Sequence, residues 1–109
     1  MNNEDKKLLL KDLCARLPYD VIVVDHYGFV VLFTWKQIKD FDDGYISKPY
    51  LRPMSSMTKE ELEEFHNYTN VDPILWLYYS IDWLNAHHFD YRGLIPKGLA
   101  IEAPKGMYN

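Results

Sequence analysis

The sequence has one cysteine, no excess of positive charge and no long apolar run. Each of these features excludes a class of protein. Cys14 is the single cysteine among 109 residues, which excludes an internal disulfide. Lys and Arg number 12 against 16 Asp and Glu, which gives a formal net charge of −4. Surfaces that follow nucleic-acid phosphates are usually basic, so we expect no nucleic-acid partner.

The apolar runs are too short to cross a membrane, since a spanning helix needs roughly 18 or more consecutive apolar residues. The polar segment from Met1 to Lys7 is followed by no stretch typical of the apolar region of a signal peptide. We therefore expect a cytoplasmic protein that has no membrane partner.

Aromatic residues, by contrast, are plentiful. Nine Tyr, five Phe and three Trp make up 16% of the chain. Aromatic side chains bury large areas in cores and are also enriched at interfaces, so the excess favours a dense core or a binding face. A chain of 109 residues can build one small core, and we predict a single domain over 1–109.

The first segment predicts an amphipathic helix over 3–16. Leu17-Pro18 ends it, because the residue before a proline avoids the helical region. Cys14 falls beside Leu13 on the apolar side of this helix. We therefore expect Cys14 to be packed and inert.

Residues 20–35 predict a β-hairpin. Two β-branched and aromatic runs, 20–25 and 29–35, flank the turn His26-Tyr27-Gly28. Both runs are apolar on both faces instead of alternating. We therefore expect helices or a second copy of the protein to cover the face that would otherwise meet water.

The middle and the end of the chain give weaker signals. Residues 45–51 predict an edge segment of the sheet, because Pro49 and Pro53 should not occupy a central strand. Residues 94–104 predict a short helical turn bounded by glycine and proline. Residues 105–109 are expected to be ordered poorly or only locally.

Two further helices have clear start signals. Thr58 with Glu61 three residues later is a capping box, and it opens a helix to about Tyr68. Asp72 before Pro73 is an N-cap followed by proline in the first turn, which opens a second helix. The sequence as a whole predicts an α+β fold, in which an N-terminal helix and C-terminal helices pack on a small antiparallel sheet.

The helix from Pro73 to about His88 is apolar nearly all round, and Asp82 is the only ionised residue between Pro73 and Ala86. One side of it carries Ile74, Leu77, Tyr78, Ile81, Leu84 and His88, and another carries Trp76, Tyr79, Trp83 and His87. Such a helix is either central to the fold or half covered by a partner. The preceding helix has an acidic outer side, which is either a solvated face or an attraction for a basic partner; it consists of Glu60, Glu61, Glu63 and Glu64.

The stretch from Ile81 to Ile95 mixes apolar bulk and polar chemistry more densely than any other. Its adjacent histidines, His87 and His88, diverge by about 100° on a helix, whereas metal-binding helices place ligands at i and i+4. No nucleophile motif accompanies them. We therefore expect no metal ion, no cofactor and no catalytic residue.

Two interpretations of this stretch stay open. In the first, a structural polar cluster holds the turn: His88 bonds a backbone carbonyl, and Asp90 and Arg92 bond main-chain groups. The members of that cluster are Asp82, Asn85, His88 and Asp90. In the second, exposed aromatic residues and an arginine form a surface with the composition of an interface hot spot. The candidate partner- or ligand-binding residues are Trp76, Tyr79, Trp83, His87, Tyr91 and Arg92.

Three blocks, 13–19, 49–58 and 81–108, resemble a family of small uncharacterised proteins common in gut bacteria and their phages. Most of the resemblance lies in the sequence from Trp83 to Ile95, which reads Trp-Leu-Asn-Ala-His-His-Phe-Asp-Tyr-Arg-Gly-Leu-Ile. The resemblance supplies no catalytic or binding residues. It implies a context of phages and mobile elements, in which small accessory proteins bind and modulate host or defence machinery.

These observations favour a non-enzymatic interaction protein that binds a host or defence protein, associates with itself as a dimer, or does both. The alternative is a small-molecule binder that acts as an oligomer, in which aromatic rings stack a nucleotide-like ligand and Arg92 or a histidine holds its phosphate. A metal-dependent hydrolase is the third hypothesis.

Overall fold

The computed structural model describes residues 1–108 and has an α+β fold, as predicted. Four helices occur in that range: α1 (Asn3–Arg16), α2 (Trp35–Asp42), α3 (Lys59–Tyr68) and α4 (Pro73–Ala86). One mixed sheet holds four strands: β1 (Ile22–Val24), β2 (Val30–Leu32), β3 (Lys48–Leu51) and β4 (Ile101–Glu102). Short 3-10 turns cover Leu17–Tyr19 and Met54–Ser56. None of the helices described has the length and apolar character needed to cross a membrane.

The predicted start of α3 is confirmed by its hydrogen bonds. The Glu61 amide donates to the Thr58 hydroxyl at 3.1 Å, and the Glu61 carboxylate accepts from the Thr58 amide at 3.0 Å. The start of α4 is confirmed as well, because the Asp72 carboxylate accepts from the Ile74 amide at 3.1 Å. Side-chain acceptors satisfy amides that a helix start leaves without intrahelical partners.

The predicted hairpin is formed by β1 and β2, which pair antiparallel from Ile22 opposite Leu32 to Val24 opposite Val30. Its regular strands are shorter than the runs 20–25 and 29–35. Val23 is fully buried against the core, while its neighbours along β1 are half-buried. The hairpin thus buries one face and leaves the other only partly covered.

The prediction that residues 45–51 form an edge was wrong. The strand order is β2-β1-β3-β4, so β3 lies inside the sheet. Pro49 is tolerated there because the two neighbours share β3: Lys48 and Pro49 pair with β1, whereas Tyr50 and Leu51 pair with β4. Neither β1 nor β4 therefore requires an unbroken row of backbone hydrogen bonds along the whole of β3.

Strand β4 replaces part of the helical turn predicted over 94–104. Turns do occupy 94–98, but Ile101 and Glu102 pair with β3 in the parallel direction. The sheet is therefore mixed, and the purely antiparallel prediction was wrong. Parallel partners distant in sequence leave no local signal, since their pairing depends on tertiary contacts.

Helix α2 was not predicted. Thr34 caps it, because its hydroxyl accepts from the Lys36 amide at 3.3 Å, while the side-chain Oε1 of Gln37 accepts from the Thr34 amide at 2.7 Å. This is a second capping box, and the spacing from Thr34 to Gln37 is its sequence signal. The helix fully buries Phe41.

The main core lies between the sheet, α1 and α2 and consists of Leu9, Leu13, Val21, Val23, Phe33, Phe41, Leu51, Leu94, Leu99 and Ala100. Helix α1 buries Leu9, Asp12, Leu13 and Arg16, which recur at helical spacing. Cys14 is exposed, so the prediction that it packs was wrong. It lies one position, about 100° of rotation, beyond the buried Leu13.

The C-terminal segment is held more firmly than predicted. The Tyr108 hydroxyl donates to the Tyr50 carbonyl at 2.6 Å and accepts from the Ile22 amide at 3.0 Å. In the register of β1 and β3, Ile22 and Tyr50 would be the next pair after Val23 and Pro49. Tyr108 thus bridges the two strands where their backbone ladder would continue. Asn109, also in the predicted loose segment, lies outside the described residues.

Candidate functional site

The first half of α4 exposes five consecutive apolar side chains to solvent. Their exposed fractions are 88% for Ile74, 46% for Leu75, 50% for Trp76, 62% for Leu77 and 69% for Tyr78. We call these five residues the α4 apolar surface. No charged side chain lies among them, and their backbone is held by the helix that begins at Asp72.

The α4 apolar surface is exposed because the ring contacts of α3 with α4 begin only at Tyr79. Helix α4 is about 21 Å long at 14 residues. Its contacts with α3 include Phe65 against Trp83 and Tyr68 against Tyr79, with ring centroids 5.2 Å and 5.5 Å apart. The molecule measures 42 × 31 × 23 Å and its radius of gyration is 14.4 Å, above the roughly 13 Å typical of a compact domain of this size.

The residues that the helical period places on one side of α4 do not share one environment. Leu84 and His88 are buried, but Ile74, Leu77 and Tyr78 are exposed. The helical period assigned these residues to one side correctly. It could not show that the core ends before it reaches the first turns of the helix.

The predicted exposed surface around Trp83 is not formed. Trp83 is 3% exposed, and its indole Nε1 donates to the Glu64 carboxylate at 3.2 Å. His87 stacks on Trp83 with ring centroids 3.9 Å apart, and its Nε2 lies 3.3 Å from the same carboxylate. These contacts fasten α4 to α3. Of the aromatic candidates, Trp76 is exposed and Tyr79 is half-buried.

Tyr91 and Arg92 also make contacts within the molecule. The Tyr91 hydroxyl donates to the Asn85 side-chain oxygen at 2.9 Å. The Arg92 guanidinium lies over the Tyr91 ring, 4.8 Å from its centroid, and donates to the Asp12 carboxylate at 2.8 Å. Arg92 bonds a side chain and not the main chain as predicted, because Asp12 is buried on the facing helix α1.

A buried ion cluster underlies that contact. The Asp12 carboxylate accepts from Arg16 Nε at 2.8 Å, and both side chains are fully buried. Arg16 also donates to the Phe89 carbonyl at 2.7 Å and so joins α1 to the turn after α4. A buried charge is stable only when it is paired and hydrogen-bonded. The sequence signal for this cluster is the i,i+4 spacing of Asp12 and Arg16, which our sequence reasoning missed.

Asp82 and Asp90 have structural contacts. The Asp82 carboxylate accepts from the hydroxyls of Tyr19 and Tyr68, and these hydrogen bonds raise the pKa of both tyrosines to about 12. The Asp90 carboxylate accepts from the amides of Leu94 at 2.8 Å and Ile95 at 2.9 Å, which confirms its predicted bonding to the main chain.

His88 differs from its prediction. His88 was predicted to bond a backbone carbonyl, but its Nδ1 is buried and has no hydrogen-bond partner among residues 1–108. Instead its ring stacks on Tyr108 with centroids 3.7 Å apart. Burial, followed by the nearby Arg16 charge, lowers the pKa of His88 to about 4.

A cavity in the described part of the chain lies away from α4. It has a volume of about 560 Å³ and is lined by residues that include Arg52, Glu61, Glu102, Lys105 and Tyr108. Arg52 donates to both Glu61 carboxylate oxygens at 2.7 Å, and this pairing lowers the pKa of Glu61 to about 2. None of the predicted partner- or ligand-binding residues lines the cavity.

A smaller groove of about 280 Å³ adjoins the α4 apolar surface. Tyr78 and Ile81 line it from α4, and Ala15, Pro18 and Tyr19 line it from the end of α1. Within residues 1–108, no three His, Cys, Asp or Glu side chains are grouped so that they could hold a metal ion.

No family model, curated protein or solved structure matches this chain.

Proposed function

We propose that this chain is a non-enzymatic interaction protein that binds another protein through the α4 apolar surface. The observation that carries the proposal is the exposure of five consecutive apolar residues on a capped helix. They offer roughly 600 Å² of apolar area, if a large side chain is taken as roughly 150–250 Å². This area lies at the upper end of the range for the largest apolar patch on a monomeric protein, roughly 300–600 Å², and patches of that size are often functional.

The surroundings of the surface support a partner that carries basic residues. Helix α3, which forms a hairpin with α4, carries exposed carboxylates at Glu60, Glu63 and Glu64. A partner with an apolar groove and a basic rim would receive α4 in the groove and meet α3 at the rim. A second copy fits less well, because pairing two such hairpins would bring two acidic helices together.

The resemblance to small proteins of gut bacteria and their phages suggests which proteins to test. Accessory proteins of phages and mobile elements bind host or defence proteins and modulate them. We propose a partner of that kind for the α4 apolar surface.

Capture from host lysate, followed by reconstitution from purified components, tests the proposal. We expect a stoichiometric complex that weakens at least about tenfold when Leu77→Gln and Tyr78→Gln are combined, since both side chains belong to the α4 apolar surface and are well exposed. Glutamine favours the helix, so the fold should persist. Charge reversal at Glu60 and Glu63 should weaken the complex further and reduce its salt dependence.

The matched control is Tyr27→Gln combined with Phe29→Gln. These side chains are 74% and 65% exposed and lie outside α4. The control should bind as the wild type does. Equal binding by the α4 variant and the wild type would contradict the proposal.

A second candidate, small-molecule binding, is favoured by the cavity of about 560 Å³, a volume within the usual range of roughly 300–1,000 Å³ for ligand sites. Lys105 lines it and forms no ion pair with residues 1–108, so it could hold a phosphate. Thermal shift measurements with ATP and GMP test this function. A rise in Tm that Lys105→Ala removes would support it, and no rise at millimolar nucleotide would contradict it.

A further inference from the structure

The two edges of the sheet differ in how they are protected. Strand β4, at one edge, has two residues, includes Glu102 and is followed closely by Pro104. Short length, charge and proline are features that prevent a strand edge from pairing with another chain. Strand β2, at the other edge, lies in a segment from Tyr27 to Trp35 that contains no charged residue and no proline.

The backbone of β2 points hydrogen-bonding groups away from the sheet. The Asp25 amide donates to the Phe29 carbonyl and the Phe33 amide donates to the Val21 carbonyl, both at 2.9 Å. Antiparallel pairing alternates, so Val31 also bonds towards β1, and the amides and carbonyls of Val30 and Leu32 point outward. These four groups have no partner within residues 1–108.

The side chains of β2 add apolar area at the same edge. Val30 is 57% exposed and Leu32 is 53% exposed, and both lie on the face opposite Val23 and the core. Phe29 and Trp35, at either end of the strand, are each 65% exposed. An edge strand that is open, uncharged and apolar is the usual template for pairing with a further strand.

We propose that two copies of this chain pair antiparallel through β2, with the two-fold axis between their two Val31 residues, to form one eight-stranded sheet. In this register Val30 of each copy lies opposite Leu32 of the other. The outward amides and carbonyls of both residues are then satisfied in four hydrogen bonds. Val31 lies opposite Val31 as a pair without hydrogen bonds, which agrees with its groups pointing towards β1.

The choice of a second copy rests on this self-complementarity. A two-fold interface requires that the same surface fit itself, and β2 does so without any change of register. The cross-strand pairs are apolar throughout: Val30 with Leu32 twice, and Phe29 towards Phe33 at both ends. No like charges meet in the paired strands, although each chain carries a net charge of −4. The inference is independent of the α4 apolar surface.

Sedimentation velocity over about 1–300 µM tests the association, since a pair of short strands with flanking aromatic residues buries an area near the lower limit for specific interfaces. We expect the wild type to change from monomer to dimer in this range. Val30→Lys combined with Leu32→Lys should remain monomeric with an unchanged circular dichroism spectrum. The matched control, Ile101→Lys on β4, should dimerise as the wild type does, and so should the α4 variant Leu77→Gln with Tyr78→Gln.

Cysteine cross-linking tests the register, in a background where the exposed Cys14 is replaced by serine. Chains with Val30→Cys are mixed with chains that carry Leu32→Cys under mild oxidation. Directly opposed residues in a hydrogen-bonded pair lie about 5.5 Å apart between Cα atoms, within disulfide reach. The mixture should therefore yield a covalent heterodimer in preference to either homodimer.

Three results would overturn the proposal. The wild type could stay monomeric up to 300 µM. This outcome would overturn the proposal even if β2 then bound a peptide from another protein. The double lysine variant could still dimerise while folded. The cross-linked species could be mainly homodimers of Val30→Cys or of Leu32→Cys, which would show a different register.

Discussion

The two halves of α4 reverse the usual distribution of polar and apolar residues. The exposed half, 73–78, has no polar side-chain group except the Trp76 indole N–H and the Tyr78 hydroxyl, whereas the buried half carries Ser80, Asp82 and Asn85. Each polar residue of the buried half has a partner: the Trp76 carbonyl for Ser80, tyrosine hydroxyls for Asp82 and the Tyr91 hydroxyl for Asn85. The comparison teaches that polar contacts position this helix, while its most apolar surface remains exposed to solvent.

The largest expected effect separates the two tryptophans of α4. Trp83→Ala should lower the free energy of unfolding by about 3–5 kcal/mol, because it removes a buried ring that packs in a cluster with Leu84 and Phe89. Trp76→Ala should change it by less than about 1 kcal/mol, because Trp76 is 50% exposed. Urea denaturation of both variants measures the difference. Equal losses would show that both halves of α4 are core.

The next effect is acid sensitivity at the end of the buried half. Burial lowers the pKa of His88 to about 4 from 6.5, so the folded state binds its proton less readily than the unfolded chain does. The stability that depends on neutral His88 is therefore fully present above pH 6.5 and is lost as the pH falls through 4. His88→Asn should flatten this part of the pH profile, and asparagine tolerates the positive φ of 64° at this position.

Alkaline titration tests how Asp82 joins the buried half to its neighbours. The pKa of Tyr19 and of Tyr68 is raised to about 12 from 10 by the hydrogen bond to Asp82. The folded state holds these protons more tightly, so their contribution is present below pH 10 and is lost as the pH rises through 12. Asp82→Asn should return two tyrosines to ionisation near their ordinary pKa in an absorbance titration. An unchanged titration curve would exclude these hydrogen bonds.

The smallest expected effect on stability is at the α4 apolar surface. Leu77→Gln should change the free energy of unfolding by no more than about 0.5 kcal/mol, because Leu77 is 62% exposed and glutamine favours the helix. Chemical denaturation measures the change, with Leu84→Gln in the buried half as the contrasting variant. A large loss at Leu77 would mean that the first half of α4 is covered within the molecule.

Features that depend on a few neighbouring residues were predictable from the sequence. The caps at Thr58 and Asp72 and the hairpin around Gly28 were confirmed because each is encoded within four or five residues. The same rule could have found α2 from Thr34 and Gln37. Its capping box was present in the sequence but was not used.

Features that depend on distant segments were not predictable in the same way. Whether Ile74 or Leu84 is buried depends on where α1 and α3 end, not on the helical period that both residues share. The pairing of Tyr50 with Ile101 joins strands about fifty residues apart, and the charge partner of Arg92 is Asp12, 80 positions away. Cys14 shows a third limit. When the apolar face of a helix is misplaced by one residue, a side chain predicted to be in the core lies at the surface.

The hydroxyl of Tyr108 has a consequence for the order of folding. It bonds Ile22, 86 positions away, in the place of a backbone rung between β1 and β3. Closing so long a loop has an entropic cost that only contacts made elsewhere can offset, so this bond should form late. Until then the ladder between β1 and β3 is incomplete at Ile22. The N-terminal part of the chain and the C-terminal segment therefore belong to one cooperative unit, and neither is expected to behave as a separate foldon.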